Sequence, residues 1–244
     1  MYKTKLDKPL LVVMIILLVF GIIMILSSSS MASFMRYNKN IYNYFIRQGI
    51  FDVIGLGAFF IAICFPTKFF KKISPFLMSL LTLALFGLFI YGNSHKGTQG
   101  WYDLKFFTLQ PSELGKIIIV LYLANYYNNH KDDLDNQWTL LKPIIMVLII
   151  FASVAMQPDL GTASIIFGIT FLIFYVLPLK KETKGPINRI FLGGIVLVGL
   201  LLILTGGSFL RDYQLERFNF LNPCERYEEE SGYQLCNSLI AFKN

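Results

Sequence analysis

From Pro9 to Met35 the chain runs for 27 residues without one charged side chain. About 20 consecutive apolar residues suffice to carry a helix through a bilayer. In hydrocarbon the backbone N–H and C=O groups must find partners within the segment, so only helices and closed barrels can span. Barrel strands alternate apolar and polar residues over short stretches. This run is continuously apolar and therefore reads as a helix. It follows Lys3, Lys5 and Lys8, as the core of a signal peptide would. It lacks a clear small-residue cleavage site and more apolar runs come after it, so it reads as a retained span near 10–30.

Six further runs follow, near 49–66, 73–92, 111–127, 143–157, 160–179 and 190–206. The expected fold is an all-α polytopic integral membrane protein with about seven transmembrane helices. Residues 1–244 form a single membrane domain in this reading, and 207–244 begin a large external loop. Composition supports the class. Hydrophobic residues make up 55% and charged residues 15% of the 244, against about 25% charged in soluble domains. Soluble, disordered and disulfide-rich secreted classes are excluded.

The net charge of +7 is unevenly placed. Residues 1–207 carry 18 basic and 9 acidic side chains, and residues 208–244 carry 4 and 6. Lysines and arginines concentrate at the N-terminus and in loops 66–72, 128–142 and 180–189, which predicts that these face the cytoplasm. With an odd number of spans the acidic C-terminal stretch is external. No zinc finger, basic helix or basic–aromatic repeat is present, so no nucleic-acid partner is expected. No phosphate-binding glycine motif occurs either. His95 and His130 fall on opposite sides of the membrane, which argues against a His-based triad or metal site.

Few polar residues lie at membrane depth, so each one is informative. The richest segment is Thr108-Leu-Gln-Pro-Ser-Glu-Leu-Gly-Lys116. Pro111 suits a first helical position, which makes Gln110 the cap and puts Glu113 where its carboxylate can reach back to free N–H groups. Glu113 and Lys116, three apart, share a helix face. The segment is either a cap with a self-satisfied ion pair or a polar cavity at the outer end of the fourth span. Gln157-Pro-Asp-Leu-Gly-Thr162 joins the next two spans with almost no loop. Asp159 suits the cap of the following helix. Glu113 and Asp159 either face one external cavity or are both simple caps. Trp101 reads first as an interfacial anchor. Cys224 and Cys236, twelve apart on the outer side, are a candidate disulfide. Cys64 reads as a small buried apolar residue.

Four stretches, in this order, resemble the SEDS family of FtsW, RodA and SpoVE proteins. They are Lys96-Gly-Thr-Gln-Gly-Trp101, Gln110-Pro-Ser-Glu-Leu-Gly-Lys116, Gln157-Pro-Asp-Leu-Gly-Thr162, and Arg217-Phe-Asn-Phe-Leu-Asn-Pro223 with Gly232-Tyr-Gln-Leu-Cys-Asn-Ser-Leu-Ile-Ala241. The Asn-Pro-Cys and Cys-Asn pair looks most like the FtsW branch. The resemblance implies a peptidoglycan glycosyltransferase of the bacterial cytoplasmic membrane. Such a protein polymerises lipid II, the undecaprenyl-pyrophosphate-linked disaccharide peptide, at the outer face. Its implied partners are a class B penicillin-binding transpeptidase and the divisome or elongasome. Carried onto this chain, the family's substrate-binding positions are Trp101, Gln110, Glu113, Lys116, Asp159 and Arg217. Lys116 is the candidate contact to pyrophosphate. No cofactor is implied with certainty. A divalent cation would suit the pyrophosphate, but the sequence shows no dedicated cage for one.

Two departures stand out. Family members usually carry Arg directly before the loop Trp, where this chain has Gly100. Members also continue past the point matching Ala241 to about ten spans and a catalytic Asp, so no catalytic residue is assigned here. The expectation is a chain inactive by itself. The alternatives are a non-catalytic membrane scaffold or a flippase for a lipid-linked precursor.

Overall fold

A computed structural model describes residues 7–36, 41–95, 98–104, 107–180, 183–185, 188–189, 192–193, 200, 223–225 and 233–243. Its longer helices are α1 (Lys8–Arg36), α2 (Asn43–Cys64), α3 (Thr67–Tyr91), α4 (Pro111–Asn129), α5 (Gln137–Met156) and α6 (Leu160–Val176), with a later α7 (Tyr233–Lys243). Lys8–Ser30 within α1, together with α2, α3 and α5, are long and apolar enough to cross a membrane, and α6 is a shorter apolar helix. The chain is a multi-pass membrane protein. The expected span at 190–206 falls largely outside the described residues.

Residues 1–72 and 73–244 form two compact units. In the first, α1 and α2 pack as a hairpin. No residue of α2 is buried, and Val53 stands 71% exposed. Such a surface suits lipid tails, which are as apolar as the side chains that meet them. One carboxylate lies within α2, and it is paired locally: Gln48 Nε2 donates to Asp52 Oδ1 at 2.8 Å. Residues one turn apart share a helix face, so the pair closes without a second helix.

In the second unit, Leu85 and Leu88 of α3 meet Ile119 and Leu123 of α4, Ile150 of α5 and Ile166 of α6 in one core. Close packing has to supply the adhesion that water supplies in a soluble protein. At Gly115 of α4 a β-carbon would come within 3.2 Å of Leu81 Cδ2 on α3. Polar ties add to the packing. Asn125 Nδ2 donates to Ser74 Oγ at 3.2 Å, and the buried Tyr127 hydroxyl donates to the Leu140 carbonyl at 3.0 Å.

Helix ends differ from the expected spans in ways that have physical causes. α2 starts at Asn43, so Arg47 and Gln48 are helical. α3 takes in Lys68, Lys71, Lys72 and an internal Pro75. α5 starts at Gln137, and Pro143 lies inside it. Its cap is Asn136, whose side chain accepts from Trp138 N at 3.0 Å. An internal proline loses one ladder bond, a loss that neighbouring groups in a helix bundle can compensate.

The loop after α3 is not irregular. It folds into β1 (Asn93–His95), β2 (Thr98–Asp103) and β3 (Thr108–Leu109). β2 pairs antiparallel with both neighbours, in registers Asn93↔Trp101 and Tyr102↔Leu109. Trp, Tyr and Thr favour the pleated surface.

A Gly115→Val substitution forces α3 and α4 apart at Leu81. It is expected to destabilise the second unit by about 1–3 kcal/mol, the usual cost of overpacking a close contact. A lowered thermal midpoint in detergent, against an unchanged Gly168→Val control at an open position, checks it.

Candidate functional site

Two helices begin at the same end of the second unit. Gln110 precedes α4 with an extended backbone, and Pro111 takes the first helical position. Asp159 precedes α6, and its Oδ1 accepts from Thr162 N at 3.0 Å. Its other oxygen, Oδ2, accepts from Gln110 Nε2 at 2.9 Å. One bond therefore brings together two segments 49 residues apart in the chain. It also fixes α4 and α6 side by side and pointing the same way, with their N-terminal dipoles at one site. α5 returns the chain between them.

Gln110 does not cap α4 with its side chain; its amide is given to Asp159 instead. Nor does Glu113 reach back to the helix start. Its carboxylate takes Lys116 Nζ at 2.8 Å, one turn along. The ammonium is the nearer partner on the same face, and it brings a full charge where a backbone N–H brings a partial one. Lys116 is about three-quarters buried, and Glu113 is half exposed, with side-chain accessibilities of 24% and 54%. The cation is thus held in place by a partner that itself remains open to solvent.

Strand β2 lies against the start of α4 and the turn before α6. Gly100 is buried, and a β-carbon there would sit 3.6 Å from Gln110 Nε2 and 3.6 Å from Gln157 Oε1. Trp101 follows it, half-buried. Tyr102 donates its hydroxyl to the Ala84 carbonyl of α3 at 2.7 Å. Desolvation pushes the Tyr102 phenol up from its ordinary value, so the neutral, donating form persists further into alkaline pH. Gln157, at the end of α5, is 2% exposed and donates from Nε2 to the Leu85 carbonyl at 3.1 Å.

The structure therefore brings Gln110 and Asp159 into contact and places Glu113 and Lys116 on the first turns of α4. It sets Trp101 on the strand that covers the Gln110–Asp159 pair. Arg217 lies outside the described residues. Cys224 and Cys236 are joined by a disulfide that ties the turn at 223–225 to α7. Cys64 is exposed at the end of α2, not buried. A span end opening on lipid needs no covering side chain, so the buried placement expected for a small apolar residue fails there. Gly100, Tyr102 and Gln157 were not expected among the site-forming residues. The signal for them was their position within or beside the quoted motifs. Among the described residues, no group of three His, Cys, Asp or Glu is placed to hold a metal ion. A cavity of about 510 Å³ opens at the other end of α4 and α6, lined by Tyr127, Leu134, Leu172 and Val176 with Lys131 beside them. Its lining is nearly all apolar, and it is remote from the polar cluster.

Comparison with known proteins follows this geometry. A family model for FtsW, RodA and SpoVE, described as cell cycle protein, matches residues 8–244. A probable peptidoglycan glycosyltransferase FtsW of Bacillus subtilis is 33% identical over 244 residues, covering 98% of this chain and 60% of that protein. The namesake of Wigglesworthia glossinidia brevipalpis is 32% identical, covering 96% and 59%. The chain thus spans about three-fifths of the length of these curated relatives. A chain from a peptidoglycan synthase complex, solved for its coordination of polymerization and crosslinking, superposes with a TM-score of 0.61 at 22% identity, covering 91% of this chain and 64% of that one. The rod shape determining protein RodA of Thermus thermophilus superposes at 0.54 and 23% identity, covering 75% and 58%. These two likenesses establish a shared fold.

Asp159→Ala removes both the helix cap and the acceptor for Gln110. It is expected to cost about 1–3 kcal/mol. Asp159→Asn keeps a capping oxygen and is expected to cost less than half of that. Unfolding of the two variants in the same detergent, followed by circular dichroism, checks the order.

Proposed function

The chain belongs to the FtsW/RodA/SpoVE family of cell cycle proteins, and from that premise we propose that it forms the substrate-holding part of a peptidoglycan glycosyltransferase acting on lipid II. The observation that carries the reading is the Gln110–Asp159 bond at 2.9 Å. It gathers polar groups and two helix N-termini at one end of an otherwise apolar bundle. The reaction is displacement at the anomeric carbon of one lipid-linked saccharide by a sugar hydroxyl of another. A new C–O bond forms, the bond to the lipid pyrophosphate breaks, and the hydroxyl proton passes to a base.

The pyrophosphate is the most charged part of this substrate, and the site meets it with positive charge. Lys116 offers an ammonium already oriented by Glu113. The N-termini of α4 and α6 add partial positive charge at the same end. Gln110, held by Asp159, presents its amide carbonyl as an acceptor for sugar hydroxyls. Trp101 offers an aromatic face to a sugar ring or to the lipid carrier. Arg217, at the start of the long loop, is a further cationic contact in this proposal.

The site faces the outside of the bacterial cytoplasmic membrane in this reading, with the N-terminus inside. The support is the clustering of Lys3, Lys5, Lys8, Lys68, Lys71, Lys72 and Lys131 in the opposite set of loops. A disulfide in the 207–244 stretch also suits an external compartment. The partner is a class B penicillin-binding transpeptidase, which crosslinks the strands polymerised here. This agrees with the synthase complex whose fold the chain shares.

Two experiments test the proposal. The purified chain is expected to bind lipid II, and Lys116→Ala to weaken binding about tenfold, the loss of one charge-assisted contact. Native mass spectrometry with graded lipid II reads this, and a parent chain that binds no more lipid II than phosphatidylglycerol would sink the reading. Single cysteines at Gln99 and at Asn128, in a Cys64→Ser background with the native disulfide intact, are expected to differ in whole cells. A membrane-impermeant maleimide should label the first and spare the second.

A further inference from the structure

We infer that Gln157 is a positioning residue, holding strand β2, and with it Trp101, in register with the Gln110–Asp159 pair. The placement stands on geometry alone; its consequence for substrate rests on the glycosyltransferase reading above.

Gln157 sits at the junction of α5 and α6, where its side chain ties the turn to α3 and its main-chain carbonyl holds β2. Its Nε2 donates to the Leu85 carbonyl of α3 at 3.1 Å. Its main-chain carbonyl accepts from Gln99 N of β2 at 3.4 Å. Its Oε1 faces Gly100, 3.6 Å from where a β-carbon would stand. Asp159 follows two residues later, so the turn that carries the carboxylate begins at the residue that grips the strand. On the far side of Trp101, Tyr102 donates to the Ala84 carbonyl at 2.7 Å. The two anchors use adjacent carbonyls of one α3 turn, and Trp101 lies between the residues they hold. β2 therefore has a fixed height over the site, set by Tyr102 on α3 and by Gln157 at the turn.

The chemistry calls for a carboxamide. A leucine of similar size has no donor for the Leu85 carbonyl. A glutamate sets an acceptor against an acceptor there. Gly100 is the matching half of the contact. An alanine β-carbon at 3.6 Å is in ordinary contact, whereas the branched end of a leucine has to displace the Gln110 and Gln157 side chains. Misplacing a substrate contact by about 1 Å is enough to cost a hundredfold in turnover, so the strand's height matters to the site.

The test uses the full chain with Trp138→Phe, which leaves Trp101 as the one tryptophan. Acrylamide quenching of Trp101 is expected to rise about twofold in Q157L, Q157E and G100L, the mark of a locally released segment, and to stay at the parental value in G100A. G100L should still unfold in one cooperative transition, which separates strand release from general unfolding. Lipid II affinity in the released variants should fall about tenfold. Parental quenching in a folded Q157L would overturn the inference whatever G100L shows. Should Q157L fail to fold, Q157E decides alone. A parent chain that binds no lipid II, with quenching still raised in the Gln157 variants, would refute the glycosyltransferase reading and leave the positioning role standing. A parent that binds lipid II, with quenching unmoved, would do the reverse.

Discussion

A polar group moved into hydrocarbon without a partner costs several kcal/mol, and the second unit is arranged around meeting that demand. Several of the polar residues within its helices are met nearby. Ser153 and Thr170 return their hydroxyls to carbonyls one turn back. Asn125 reaches Ser74 on the neighbouring helix. Gln157, the largest buried amide described, is met by α3. The same demand that makes the spans helical makes any polar junction between them a fixed joint, because each partner has nowhere else to go. Joints of this kind place the helices more tightly than apolar contact does, since lipid competes with apolar contact and cannot replace a hydrogen bond.

The junction at Gln110 and Asp159 illustrates the point. A bond between two helix caps constrains both position and direction. α4 and α6 must start together, so α5 must span the full distance back in between. Helix dipoles that would oppose each other in an antiparallel pair here add at one end. The polar end of the unit therefore sets the partial positive charge of two helix N-termini beside the Asp159 carboxylate and the Glu113–Lys116 pair. The opposite end, where both C-termini gather, carries the apolar cavity beside Tyr127 and Leu134.

Much of this was legible in the sequence, and what was not has an identifiable cause. The 27-residue uncharged run fixed α1 without help, because length and charge alone decide it. The Glu113–Lys116 pair followed from spacing on one helix. Asp159 as a cap followed from its place before an apolar run. The α5 start at Gln137 is not legible from Pro143, because proline looks the same at a first position as inside a helix, and only the Asn136 cap separates the two. The sheet was missed because its strands are short and its anchors are distant: Tyr102 is held by Ala84 and Gln99 by Gln157. The Gln110–Asp159 bond could be supposed from two polar segments on one side of a membrane. Its existence depends on how α5 packs, which no local pattern encodes.

Fixity also decides which chemistry each carboxylate suits. Both Asp159 oxygens already accept bonds, one from a backbone N–H and one from an amide. Moving that carboxylate toward a sugar hydroxyl would undo the helix cap and the joint between α4 and α6 together. Glu113 is freer, but its movement releases Lys116, the one oriented cation among the described residues of the site. Each acid is therefore worth more as a support than as a reagent. In a glycosyltransferase built on this frame, proton removal falls to a group whose motion does not unfasten the bundle. In the proposed reading, the end described here then serves to hold a charged, sugar-bearing lipid still.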